Sequence, residues 1–163
     1  MAKRRKMKAE RIIHLSAGPL PPRLAERHAN GPLVFSDASQ LRHGGLATVL
    51  FADADSEAQV ATRSVPLIGS NELELQAALF ALEEVSRHFP GQPAALFSDN
   101  LDTVTRLSRA KAQGSAQDSA LVERFPGLDI DALLLTVDVC WIPGHGRCRG
   151  NALADLHARA AAA

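Results

Sequence analysis

The chain of 163 residues predicts an α/β fold: a five-stranded mixed sheet, an antiparallel meander plus two parallel strands, flanked by helices. Three observations predict it. Short apolar, β-type runs come first, joined by short links. The period then changes, with Leu75, Leu79, Leu82 and Val85 at helical spacing. Two further β-rich runs follow, separated by helical stretches, which is the connection that parallel strands require.

Taken in order, Leu33-Val34-Phe35 is the first strand and runs into Ser36-Asp37. A turn around His43-Gly44 leads to a second strand over 45–52, and 59–67 alternates loosely as a third. Residues 71–89 are the long helix, stopped by Pro90-Gly91. The fourth strand spans 94–97, followed by Ser98-Asp99-Asn100 and a helix to about Ala112. Residues 117–125 are another short helix, 133–141 the fifth strand, and Gly150 opens a closing Ala-rich helix.

Composition sets the class. Hydrophobic residues make up 46% and charged residues 22%, ordinary for a globular domain. No apolar run approaches the roughly 20 residues of a membrane span, and the N-terminus lacks the apolar stretch of a secretory signal, so a cytoplasmic, monomeric protein is expected. Cys140 and Cys148 form no CxxC pair and, with His145 nearby, no four-ligand zinc pattern. Two reduced thiols are expected.

Charge is uneven beneath a net of zero. Residues 1–11 carry Lys3, Arg4, Arg5, Lys6, Lys8 and Arg11 against Glu10 alone, a net of +5 that leaves −5 on the remainder. Gly18, Pro19, Pro21 and Pro22 follow without periodicity. Residues 1–30 are therefore expected to be a flexible basic arm and 31–163 the domain. An acidic body that binds nucleic acid needs the arm or a bound cation to offset repulsion.

The acids fall at informative places. Asp37 and Asp99 end strands that, as parallel neighbours, bring both carboxylates to the edge where open α/β sheets build their sites. Glu74 lies on the first turn of the long helix and Asp155 on the first turn or two of the last. Four carboxylates that close repel unless cations lie among them, and oxygen-only ligands favour Mg²⁺ or Mn²⁺ over zinc. Each residue alone has an ordinary reading: Asp99 as a cap, Glu74 as a favourable acid in a first helical turn, Asp155 as a solvated helix residue, and His145 as a loop histidine.

The local sequences go further. Phe35-Ser36-Asp37-Ala38-Ser39, the run Asn71 to Glu83, Phe97-Ser98-Asp99-Asn100, Trp141-Ile142-Pro143-Gly144-His145 and Gly150-Asn151-Ala152-Leu153-Ala154-Asp155 stand in one order. Over residues 32–160 the chain closely resembles the type 1 ribonuclease H family. The resemblance implies a ribonuclease H-like sheet and an endonuclease that hydrolyses the RNA strand of RNA–DNA hybrids by a two-metal-ion mechanism. The products would carry 5′-phosphates. It implies two Mg²⁺ ions per site with substrate, Mn²⁺ being a possible substitute.

The resemblance also implies roles. Asp37 would bridge both ions, and Asp155 would complete the site that activates water. Glu74 and Asp99 would hold the ion beside the leaving oxygen, and His145 would assist proton transfer or product departure. Glu72 is the rival of Glu74, which the family's Leu-x-Ala-Ala run favours. Ala38 and Ser39, with Glu74, would meet RNA 2′-hydroxyls. Asn71 would touch the DNA side of the minor groove, and Asn100 and Asn151 would also contact substrate.

Three departures from the family bear on affinity. Gly69-Ser70-Asn71 stands where Thr-Asn-Asn is frequent, the turn Gln40-Leu41-Arg42-His43 is short, and residues 106–125 hold Arg106, Arg109, Lys111 and Arg124 but no Trp. The alternatives are a catalytically altered ribonuclease H-like binding module, or another nuclease of the superfamily such as a transposase, integrase or Holliday-junction resolvase.

Overall fold

The computed structural model describes residues 15–144 and 146–163. The basic run at 1–11 and His145 lie outside the described residues.

The sheet is mixed and five-stranded, in the order β3-β2-β1-β4-β5. Strands β1 (Leu33–Gln40), β2 (Gly44–Phe51) and β3 (Gln59–Val65) form the antiparallel meander. Strands β4 (Ala94–Ser98) and β5 (Val137–Trp141) extend it in parallel from β1. The turn between Gln40 and Gly44, which are paired in register, is as short as its sequence indicates.

Strand alternation separates two packed layers. Val34, Leu50 and Leu96 pack against α2 (Ser70–His88), α3 (Leu101–Gln113) and α5 (Ile130–Leu134) through Leu79, Leu82, Leu107 and Ile130. Phe35, Val49 and Phe97 pack on the other face against Ala154 of α6 (Arg149–Ala162). The Ala-rich composition of α6 permits close approach: a Cβ on Gly45 would stand 2.0 Å from the Ala158 carbonyl oxygen. From the exposed edge strand β3, Arg63 lays its guanidinium 4.0 Å over the Phe80 ring of α2.

Three segments differ from the sequence expectation. The apolar run 133–141 is divided, its first residues completing α5 and the strand starting at Val137. Asp129 caps α5 by accepting the Ala132 N–H at 3.1 Å, and Ile130 and Leu134, one turn apart, are both buried. An apolar run satisfies either period, and here the cap decides. Residues 15–30, expected as part of the arm, pack on the body: Leu20 is 3% exposed beside Leu33 and Phe35, and α1 (Pro22–Arg27) starts at a proline. Without periodicity, a single buried leucine between prolines leaves little sequence signal. Residues 117–125 divide into a short turn over Ser115–Gln117 and α4 (Ser119–Arg124). Among the described residues no helix is long and apolar enough to cross a membrane.

Candidate active site

Strand β1 outlasts its parallel neighbour. Its pairing with β4 ends at Phe35↔Phe97, while its pairing with β2 continues to Gln40↔Gly44. Asp37 therefore lies inside β1 rather than at its end, at the place where β4 has turned away. Asp99 follows β4 directly. Strand alternation puts Asp37 in step with Phe35, and Asp99 follows Phe97 by the same two residues. Glu74 comes from the second turn of α2. Ligand oxygens of Asp37, Glu74 and Asp99 all lie within 4.8 Å of one another.

This grouping is electrostatically costly. Asp37 is 4% exposed, and burial raises its carboxyl well above the usual range, with the Asp99 charge adding to the effect. Burial likewise raises Glu74, and the Asp37 charge raises it further. The Ala38 N–H donates to Asp37 Oδ1 at 3.0 Å, a partial compensation. Glu74 Oε2 is buried with no hydrogen-bond partner among the described residues. An orphaned carboxylate oxygen facing two more carboxylates fits a hard divalent cation, and the oxygen-only donor set favours Mg²⁺ or Mn²⁺ over zinc.

Asp155 stands apart from this group. Its side chain is 45% exposed and ion-paired with Arg159, Nε to Oδ2 3.2 Å. It still contributes, as the smallest of the named causes, to raising Asp37. The helical spacing of Asp155 and Arg159 carries the signal for this pair, which the sequence reading missed. It also missed Trp141, whose indole N–H donates to the Asp99 carbonyl at 3.2 Å.

The other expected residues gather at the same edge. Asn151 is 4% exposed, its Nδ2 is 3.4 Å from Asp99 Oδ2, and its Oδ1 has no partner among the described residues. Gly144 lies against Asp99, where a Cβ would be 3.1 Å from Oδ2. Asn100 caps α3 by accepting the Thr103 N–H at 2.9 Å, and its amide donates to Asn71 Oδ1 at 3.2 Å. Ala38 and Ser39 follow Asp37 on β1, half-buried. Glu72 pairs with Arg124, which leaves Glu74 as the acid of the cluster.

Most cations of residues 106–125 are already engaged. Arg106 donates twice to Asp118, at 2.6 and 2.9 Å. Lys111 reaches Asp138 at 3.0 Å and the Val137 carbonyl at 2.6 Å. A polar hollow of about 410 Å³ beside Arg109, Gln113 and Gln117 contains none of the four acids.

Sheet order, crossovers and the acid cluster define an α/β protein of ribonuclease H-like fold. Solved structures share it. A ribonuclease H1 from the halophilic archaeon Halobacterium salinarum superposes with a TM-score of 0.59 at 16% identity, over 81% of this chain and 97% of that one. A metagenomic ribonuclease H1, in complex with an RNA/DNA hybrid, gives 0.58 at 14% identity, over 81% and 99%. A foamy viral protease-reverse transcriptase, also with an RNA/DNA hybrid, gives 0.63 at 15% identity, over 99% of this chain and 22% of that one. The sequence matches no protein-family model and no curated protein.

Proposed function

We propose that this protein hydrolyses the RNA strand of RNA–DNA hybrids, with divalent cations, Mg²⁺ first, held by Asp37, Glu74, Asp99 and Asp155. The observation that carries this reading is the trio of Asp37, Glu74 and Asp99, with the orphaned Glu74 Oε2 among them. A partly buried carboxylate cluster without a counter-charge costs stability, which supports a functional reason to keep it. Bound cations would supply Lewis-acid activation of water and neutralise charge on the leaving oxygen.

The chain's own groups do the remainder. Asp37, rigid in β1 and accepting the Ala38 N–H, would be the central ligand for a bound cation. Glu74 and Asp99 approach it from α2 and from the end of β4. Asn151 and Trp141 orient Asp99 through its side chain and its carbonyl. Asn71 and Asn100, linked at the exposed tips of α2 and α3, face substrate with Ala38 and Ser39. His145, outside the described residues, is assigned proton transfer or product departure.

One observation favours a second reading, a hybrid-binding module without turnover: Asp155 lies outside the three-acid group and is paired with Arg159. A single assay separates the two. The full chain is incubated with RNA–DNA hybrid, duplex DNA and duplex RNA, with Mg²⁺ or with chelator. Mg²⁺-dependent cuts in the RNA strand of the hybrid alone support hydrolysis. Binding of the hybrid without cleavage in either Mg²⁺ or Mn²⁺ would overturn it.

A further inference from the structure

Helix α6 begins with a weak cap of its own. Its N-cap residue, Cys148, turns a soft sulfur toward the Gly150 and Asn151 N–H groups but makes no full side-chain cap hydrogen bond, so the first turn draws stronger acceptors from elsewhere. The acceptors come from the start of the described chain. The Arg149 N–H donates to Ser16 Oγ at 3.2 Å, and the Gly150 N–H donates to the Pro19 carbonyl at 2.9 Å. The Ser16 hydroxyl in turn donates to the Gly18 carbonyl at 2.7 Å, which fixes where Oγ sits. The Ser16 N–H donates to the Arg147 carbonyl at 2.7 Å, and Arg149 Nε donates back to the Ser16 carbonyl at 3.2 Å. The Cys148 thiol donates to the Pro19 carbonyl at 3.2 Å. Leu20, buried in the core, anchors the far end of the segment.

The opposite side of this helical turn is closed by β1. A Cβ on Gly150 would stand 2.3 Å from the Phe35 ring. The first turn of α6 is thus clamped between Ser16–Pro19 and the strand that carries Asp37. The next residue, Asn151, reaches Asp99. One turn further on is Asp155.

We infer that Ser16–Leu20 is a positioning segment of the candidate site. It caps α6 from outside and so sets where α6 delivers Asn151 and Asp155. The segment's hydrogen bonds go to residues 147–150 rather than to the acids, so its action runs through the helix. The inference deepens the hydrolytic reading and rests on it for the kinetic readout alone.

The test uses full-length Ser16→Ala, which removes the acceptor, and Ser16→Thr, which keeps both the acceptor for Arg149 and the donor to Gly18. In Ser16→Ala the Arg149 amide, which loses its acceptor, should exchange about fivefold faster, the fold-change of a lost cap, while amides of α2 keep their rates. Mn²⁺ titrated into the free protein should bind more weakly, and kcat on a hybrid should fall with KM unchanged, by about the same factor if the cap sets the geometry of α6. Ser16→Thr should keep all three at wild-type values. Unchanged exchange in Ser16→Ala would overturn the capping role. Faster exchange with unchanged Mn²⁺ affinity and kcat would overturn the positioning role. If the wild-type protein cuts no hybrid, the hydrolytic reading fails by itself, and the exchange and Mn²⁺ results still decide this one.

Discussion

Arg159 Nε lies 3.2 Å from Oδ2 of Asp155, one helical turn away, so the fourth acid already has a cation beside it. The Arg159 side chain is exposed and that of Asp155 about half so, and such solvent-facing pairs contribute about 0.2–1 kcal/mol. The guanidinium therefore competes weakly with any divalent ion at Asp155. Arg159→Ala should lower the half-saturating Mg²⁺ concentration for hybrid cleavage by about two- to fivefold, read from a Mg²⁺ titration at fixed hybrid. An unchanged or higher requirement would mean that the pair orients Asp155 instead.

Asp37 and Glu74 give a signed pH dependence. Burial and like charge raise both carboxyls above their ordinary values of 3.8 and 4.5. Above that ordinary range the folded chelated protein holds more protons than the unfolded chain, so its stability falls as pH rises. Below it both states are protonated and the contribution is fully present. Asp37→Asn should flatten this decline and stabilise the chelated protein at neutral pH by about 2 kcal/mol, while abolishing cleavage. Urea unfolding across pH 4 to 9 in chelator is the measurement, and a stability that climbs with pH would contradict it.

The contact of β2 with α6 sets a steric prediction. A Cβ at Gly45 meets backbone atoms of Ala158 and Ala162 at 2.0 and 2.6 Å, and backbone cannot rotate aside. Gly45→Ala should cost about 2–3 kcal/mol, measured as a lower urea midpoint with an unchanged slope.

The basic run at 1–11 is tested separately from the packed segment that follows it. Removing residues 2–14 should leave Leu20 in the core and the fold intact. If the run contacts phosphates, each lost contact reduces the log–log salt slope by about 0.7–0.9. Equal slopes and affinities for the truncated and full chains would make the run a tail.

His145 separates chemistry from ligation. An unperturbed histidine titrates near 6.5, and general acid–base help is worth about 10²–10⁴-fold. His145→Ala should lose kcat in part, keep KM and retain its divalent-ion requirement, whereas Asp37→Asn loses nearly everything. Steady-state kinetics on one hybrid from pH 6 to 9 make the comparison. A variant as inactive as Asp37→Asn would assign His145 as a ligand or an obligatory base.

By itself the sequence determined the five strands, the long second helix and the closing helix, because strand and helix periods are local properties of the chain, while Asp37, Glu74 and Asp99 were singled out by the local sequences around them through the family resemblance. It could not separate α5 from β5, since an apolar run suits either period until the Asp129 cap is in place. The resemblance favoured Glu74 over Glu72, and the physical reason is tertiary: Arg124, which takes Glu72, lies 52 residues on in a different helix. The departure of β4 from β1 beyond Phe35, which opens the edge for Asp37, is a property of two strands and not of one. Ser16–Leu20 showed no periodicity because its role is to supply acceptors to α6, and hydrogen bonds spanning more than a hundred residues leave no local pattern.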